Sequence, residues 1–471
     1  MANLRIVTDN AVGRAVSLVA SSTAGALVVE NLKVDLKSGV WRATSTSAGL
    51  LLRWDAPEEI GAVAAPFCNG SPTAMWRVRL TDELPATNLY RYSEQLDNSI
   101  WTKTNTSIAS NSAIAPDGTM TADRVAEATG SAVSHAIAQT VSGVLAGQQV
   151  AMSYFVKSAG RTVVNLLIDT ASTAAPATSS AFFDLATGQV RNITSQTPWS
   201  YSIDPFPDGW WRIAAVGTAT ADGIMRPHLR PVTGTTTTVY IGDANLGFFL
   251  WGAQFEMGED FTSYYPTAAA AAARPAGFMD DWQSYDYDSG WVPACPAPAL
   301  RPRGFTPIQA ASAYAHAGGA AARHWLPASM KARGLAIDIR DPDNLQGYIE
   351  AACLVAGPVW SPRYNASAAS VTVVDRTELS RGAGGDQLAD PGTISRKLQV
   401  DLRALTDADR ATFLGLARDR RAYPILLAVR PDHADVALDR DHMVYGRRTK
   451  DSDIAYQFEG RYATTLEIEE I

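Results

Sequence analysis

The sequence predicts a mostly β protein, built as several β-sandwiches with one short helix in a C-terminal domain. Three observations lead there. Thr, Ser, Gly, Ala and Val are abundant, and turn residues recur every 8 to 12 positions. Long amphipathic helical patterns are nearly absent. A chain of 471 residues exceeds one ordinary core, so about two to four domains are expected.

The elements follow in order. Gly49–Trp54 and Ile60–Ala65 read as strands, with Asp55-Ala56-Pro57-Glu58 as the turn between them. Met75–Leu80 alternates, so Trp76, Val78 and Leu80 share one face. A second segment opens near Asn88 and closes near Pro266. The alanine run Ala268–Ala273, flanked by Pro266 and Pro275, reads as a connector rather than a helical turn. Residues 276–335 are rich in Pro, Gly and Ala and read as long loops, followed by strands at Leu335–Ile339 and Gly347–Val355. The helix lies after Thr406, which can cap it. Asp407 and Asp409 occupy its first turn, and Phe413, Leu414 and Ala417 form its apolar face. Strands are expected at Lys397–Leu402, Pro424–Val429 and Ala455–Ile468.

Charge density divides the chain. Charged residues make up about 12% of Leu89–Ala273 and about 31% of Ala366–Ile471, so these segments should not share a core. Overall, 46% hydrophobic and 19% charged residues, with a mean hydropathy of −0.07, fit a folded chain. A net charge of −8 and a pI near 5.4 argue against a broad nucleic-acid-binding face. No apolar run reaches the roughly 18 residues of a membrane span, and the N-terminus lacks the pattern of a secretory signal. Synthesis in the cytoplasm without membrane insertion is the expectation. Cys68, Cys295 and Cys353 are widely spaced, which favours buried free thiols over a zinc framework.

Several motifs then carry a family resemblance. Asn88-Leu89-Tyr90-Arg91-Tyr92-Ser93 with Trp101-Thr102-Lys103, Ala115-Pro116-Asp117-Gly118, Ser153–Lys157, Gly209-Trp210-Trp211-Arg212, Leu250–Glu256 and Thr262–Thr267 occur in sequence. Together this stretch resembles a carbohydrate-binding-module-like jelly roll that recurs inside phage tail proteins. The flanks, through Val40–Ser45, Ala65–Asn69, Asn344–Glu350 and Val359–Pro362, resemble the two parts of a discoidin-like, galactose-binding-like sandwich. Gly384-Gly385-Asp386, Thr406–Arg410, His442–Gly446 and Leu466–Ile471 resemble the end of the same tail proteins.

The resemblance implies a discontinuous sandwich of residues 1–87 plus 276–365, an inserted jelly roll of 88–275, and a C-terminal α+β tail-assembly domain of 366–471. Insertion at a surface loop costs little when the loop ends are close. It further implies a structural component of a phage tail tip or baseplate (distal tail). Such a component would be located in the virion and partnered by other tail proteins and by itself as a symmetric oligomer. The mixed charges around Arg418, Arg420, Arg421 and Arg430 suit inter-subunit ion pairs. The insert would contact host-surface glycans.

A glycan contact needs exposed aromatic rings with polar neighbours, and Trp199, Tyr201 and Trp210 are the candidates. Trp210 and Trp211 are adjacent on a strand and face opposite sides. Core packing is the competing reading, and it is favoured for Trp211 and Trp251. His433, Asp435, Asp439 and His442 form a His/Asp cluster, but its charges and Pro431 favour a solvated loop over a metal site. Asp280, Asp281, Asp286 and Asp288 before Gly290 suggest a loose calcium loop, yet the spacing fits no EF-hand. No cofactor is therefore expected, with calcium as the minor alternative. GxSxG, HExxH, P-loop and strand-borne GxGxxG motifs are all absent, so no catalytic residue is assigned and no enzyme is expected.

Overall fold

The computed structural model describes residues 4–471, apart from 84, 176, 196–198, 275–284, 296–303, 305, 307–318 and 419–421. Strands take 53% of the chain and helical segments 7%, so the protein is mostly β. Two compact units divide it: residues 83–274, and residues 4–82 with 285–471.

The discontinuous unit is organised by two very long antiparallel strands, Ser47–Cys68 and Ala320–Arg340, paired from Ser47↔Arg340 to Cys68↔Ala320. They form the centre of a nine-stranded sheet that also takes in Met75–Thr81 and Glu350–Ala352. Trp76, Val78 and Leu80 lie buried on one face of Met75–Thr81, as their alternation requires. Two expectations are corrected here. Asp55–Glu58 is no turn: the strand continues through it, exposed at Asp55 and Ala56. Pairing to the partner strand slips between Trp325 and Met330. The charges mark an exposed stretch of one long strand, and Arg14 pairs with Glu58 at 2.8 Å. Likewise, residues 320–335 are strand rather than loop, and the small side chains of Ala320, Ala321 and Ala322 are buried.

A second, eight-stranded sheet gathers the C-terminal strands Ile394–Leu405, Ile425–Ala428, Met443–Arg448 and Arg461–Glu470. It also recruits Arg5–Val7 and Val359–Trp360, which the sequence reading placed with the discoidin-like sandwich. Ile6 stands opposite both Leu427 and Trp360 and is fully buried. That burial explains why the first strand joins this sheet. The run Ala455–Ile468 is a hairpin of Ala455–Phe458 and Arg461–Glu470, turning at Gly460, where φ is +70°. Gly347–Val355 is likewise interrupted. Strand Glu350–Ala352 ends at Cys353 (φ 59°) before Val355–Gly357 begins.

The helix spans Asp407–Arg418. Thr406 Oγ1 accepts from the Asp409 N–H at 3.2 Å, and Asp409 Oδ2 accepts from the Thr406 N–H at 3.1 Å, a reciprocal cap. Its buried face is Phe413 and Leu416, with Leu414 only half-buried. The expected apolar triad is thus rotated toward Leu416. A second helix, Val436–Asp441, lies where a loop was expected, and Asp435 caps it by accepting from Ala437 and Leu438 N–H.

The other unit begins and ends on one short antiparallel pair, Ala86–Asn88 with Ala272–Arg274. The tail of the alanine run is therefore strand. Arg274 pairs with Glu83 at 3.1 Å beside it. Two six-stranded antiparallel sheets follow. The first orders Trp199–Phe206, Trp210–Thr218, Gln149–Ala159, Gly247–Met257, Ala122–Glu127 and Thr106–Ala113. The second orders Gln189–Ser195, Ser179–Asp184, Val163–Ile168, His228–Pro231, Ala136–Ala138 and Thr102–Thr104. Between them lies one apolar core that includes Trp101, Tyr154, Leu166, Phe183 and Phe255. Glu127, with no exposed side-chain surface, accepts from Arg161 Nε at 2.6 Å, Arg161 Nη2 at 2.9 Å, Tyr240 Oη at 2.7 Å and Asp243 N–H at 3.0 Å. A buried carboxylate is tolerable only with partners of this number.

Candidate functional site

The three aromatic candidates are all packing residues. Tyr201 and Trp199 stand opposite Ala215 and Gly217 on the face of the first sheet that meets the core. Trp199 is 7% exposed, and its ring fills the space above Gly217. A Cβ at Gly217 would meet that ring at 2.4 Å. Gly217→Ala should therefore destabilise the protein by about 1–3 kcal/mol. An unchanged denaturation midpoint would show that the ring is not seated there. Tyr201 is half-buried, with its ring 6.3 Å from Phe183.

Trp210 is 1% exposed on the opposite face, in a satellite cluster with Phe155, Trp251 and Tyr264, and its Nε1 donates to the Ile114 carbonyl at 3.1 Å. Trp211, half-buried, packs toward the main core and donates from Nε1 to the Leu185 carbonyl at 2.9 Å. Both faces of this strand are covered, so Trp199 and Trp210 present no open ring to a sugar. The adjacent tryptophans face opposite sides of the strand, as its alternation requires. The covering of the second face by Tyr264 and its neighbours is tertiary information.

The second sheet differs. One of its faces packs the core through Val164, Leu166, Ile168, Ala181, Phe183 and Leu229. Strand alternation then sends Asn165, Phe182 and Arg230 to the other face. They form a row across the strands, in which Arg191, Phe182, Asn165 and Arg230 are successive cross-strand partners. Ser180, Leu167 and His228 form the next row. Phe182 is half-buried. Asn165 is fully buried. Its Nδ2 donates to the Ala181 carbonyl at 2.9 Å, and its Oδ1 accepts from Arg230 Nε at 2.9 Å and Nη2 at 2.6 Å. The amide thus holds the guanidinium in place. Arg191 pairs with Asp184 at 2.9 Å. Burial pushes the pKa of Arg230 down, against the opposing field of Asp169. Burial also lowers that of His228, where Asp169 opposes and Arg226 and Arg230 reinforce the shift.

A part-exposed ring flanked by fixed polar groups is the composition that holds a sugar. None of these residues was singled out from the sequence. The period-two pattern of His228-Leu229-Arg230 was legible, whereas Asn165 lies hidden inside the apolar run Val163–Ile168.

The other candidates do not converge. Asp439 is buried and pairs with Arg323 at 2.8 Å, while Asp435 caps its helix. His433 and His442 line a recess of about 410 Å³ together with Asn365–Ala369 and Asp432. The four residues are therefore split between helix capping, an ion pair and a surface recess. Of the suggested calcium loop, Asp280 and Asp281 lie outside the described residues. Asp288 is held by Arg77 Nε at 2.8 Å, and Asp286 accepts from the Asp82 N–H at 2.7 Å. Among the described residues no group of three or more His, Cys, Asp or Glu is placed to hold a metal ion. No described helix is long and apolar enough to cross a membrane. Arg420 and Arg421 also lie outside the described residues. The three cysteines are free and buried, and the sulfurs of Cys68 and Cys295 both lie beside Gly70.

Neither a protein-family model nor a curated relative matches the chain. Among solved structures, it is similar to the enzymatically active domain of tailspike protein 4 of bacteriophage CBA120. That match has 13% identity over 36% of this chain and 21% of that one, with a TM-score of 0.23. It is also similar to the N-terminal CBM22-1–GH10 modules of Clostridium thermocellum endo-1,4-β-D-xylanase 10B, complexed with xylohexaose. Here identity is 12% over 40% of this chain and 30% of that one, with a TM-score of 0.22. A third is a CBM4 structure, 14% identical over 35% of this chain and 83% of that one, with a TM-score of 0.19. The chain spans less than a third of the first two, and scores this low carry no argument about fold or function.

Proposed function

We propose that the protein is a structural component of a bacteriophage tail tip or baseplate, and that its inserted sandwich contacts a host-surface glycan without cleaving it. The phage assignment rests on the ordered sequence motifs. The observation that carries the glycan contact is the outer row of the second sheet, where Phe182 lies between Arg191 and the Asn165–Arg230 pair. Individually weak sugar contacts become useful when many copies act together.

Assembly has its own support. The ribbon formed by Glu378–Arg381 and Gln387–Asp390 continues the exposed strand Ala368–Asp375, with Val373, Leu379 and Leu388 between 56% and 63% exposed. A bare two-stranded ribbon is marginally stable in water, and exposed apolar groups mark contact surfaces. This favours docking to neighbouring tail subunits, including copies of the chain itself in a symmetric oligomer located in the virion.

The test is calorimetric titration of the full chain with host-envelope polysaccharide, with reducing ends assayed in parallel. Saturable binding without new reducing ends is expected. Phe182→Ala should weaken it about tenfold or more, with little change in melting temperature, since tenfold corresponds to losing about 1.4 kcal/mol of contact. Full binding by the folded variant would remove this face from the reading and leave a purely architectural protein. Release of reducing ends would instead point to a carbohydrate-active enzyme.

A further inference from the structure

We propose that the glycan held by this face is acidic, and that Arg226 and Arg230, beside His228, bind its carboxylates. The proposal rests on the glycan-contact reading and names the ligand class for the same face.

The argument is one of missing counter-charges. In this unit Arg161 is paired with Glu127, Arg191 with Asp184 and Arg274 with Glu83. Arg212 lacks a carboxylate contact, but its guanidinium lies between the rings of Phe155 and Phe261, at 5.3 Å and 4.7 Å. Among the described residues Arg91 and Arg124 also form no ion pair, but Arg91 is exposed and Arg124 donates to the Ala244 carbonyl at 3.4 Å, whereas Arg230 is partly buried and has neither arrangement. Its fork closes on the neutral oxygen of Asn165, at 2.9 Å and 2.6 Å. Among the described residues neither Arg226 nor Arg230 forms an ion pair, and Arg226 Nε and His228 Nε2 are shielded from solvent without a hydrogen-bond partner. The carboxylate whose field reaches His228 and Arg230 is that of Asp169, and its Oδ1 accepts from the N–H of Ala171.

A partly desolvated guanidinium without an anion is costly, and a carboxylate is the partner its remaining open side fits. Asn165 holds the Nε and Nη2 edge and leaves the Nη1 side for an anion, so little side-chain freedom is lost on binding. Phe182 stands two strands away in the same row, about 10 Å at the usual strand spacing. A polymer can then stack one sugar ring on Phe182 while a neighbouring sugar presents its carboxylate to Arg230. A small free anion would leave Phe182 unused.

Polygalacturonate and its fully methyl-esterified form share one backbone and differ in charge, so they are suitable probes for the full chain. Polygalacturonate should bind about tenfold tighter or more, the scale of one charge-assisted pair. Its affinity should fall with salt, and Arg230→Gln and Arg226→Gln should each remove most of the preference. Melting temperatures of the variants serve as the fold control. As a second readout, glucuronate should raise the melting temperature of the wild-type chain more than glucose does, and should lose that advantage in the double variant. Equal binding of the two polymers, with no response to either variant, would overturn the acidic assignment and leave the glycan reading intact. Failure of host-envelope polysaccharide, both polymers and both sugars to act on the folded chain would overturn both. Tighter binding of a phosphodiester-bearing polysaccharide than of polygalacturonate would overturn the choice of carboxylate.

Discussion

Trp210→Ala is expected to destabilise the inserted unit by about 3–5 kcal/mol, the usual scale for deleting a fully buried large aromatic ring. The ring is 1% exposed and packs with Phe155, Trp251 and Tyr264. Its removal leaves a cavity on the outer face of the first sheet. It also strands the Ile114 carbonyl, which now accepts from the indole Nε1. Urea denaturation of the full chain should show one transition moving to lower denaturant. Trp210→Phe should recover part of the loss by refilling the space without restoring the hydrogen bond. A midpoint unchanged in Trp210→Ala would mean that the ring is not buried as described. The result bears on function as well. Any adsorption defect in this variant should follow the loss of folded protein, whereas Phe182→Ala should weaken binding in a protein that still melts normally.

Glu127→Gln is the second large effect, expected near 3 kcal/mol at neutral pH, because it removes one charge from a buried pair and leaves Arg161 uncompensated. Burial works to raise the Glu127 carboxyl pKa, but hydrogen bonds from Arg161, Tyr240 and the Asp243 N–H outweigh it and hold the group below its ordinary value. The sign follows from that depression. The folded pKa lies below the unfolded one, so the stabilisation is fully present above about pH 4.3 and is lost as pH falls through the lowered folded value. The difference in urea midpoint between wild type and Glu127→Gln should be widest at pH 6–7 and shrink on acidification below about pH 4. A difference that stays constant down to the acid transition would show that the carboxylate is not charged in the folded protein.

Much of the architecture was legible in the sequence because it depends on short-range pattern. Alternation in Met75–Leu80 placed Trp76, Val78 and Leu80 on one face. Thr406 with Asp407 and Asp409 located the helix that begins at Asp407. Errors arose where local chemistry had two readings. Asp55–Glu58 has turn-like composition, yet a strand 22 residues long can carry an exposed charged stretch when both its flanks are paired to one partner. The helix Val436–Asp441 was hidden because six residues give too little periodicity to read.

The site divides along the same line. From the sequence alone it follows that this is a mostly β chain without familiar catalytic motifs, with aromatic residues concentrated in one sparsely charged segment. Which aromatic residue is open to a ligand was decided only by tertiary structure. Composition drew attention to Trp199, Tyr201 and Trp210, but exposure depends on what covers each sheet face. Trp210 is buried in a cluster with Phe155, Trp251 and Tyr264, and Gly217 makes room for Trp199. Phe182 is left half-open by the alternation of its strand, and Arg230 is fixed beside it by an asparagine 65 positions away in the chain. Side-chain periodicity is a local property and can be read along the chain. The covering of a face and the pairing of distant strands depend on long-range contacts, which exist only once the sheets have packed.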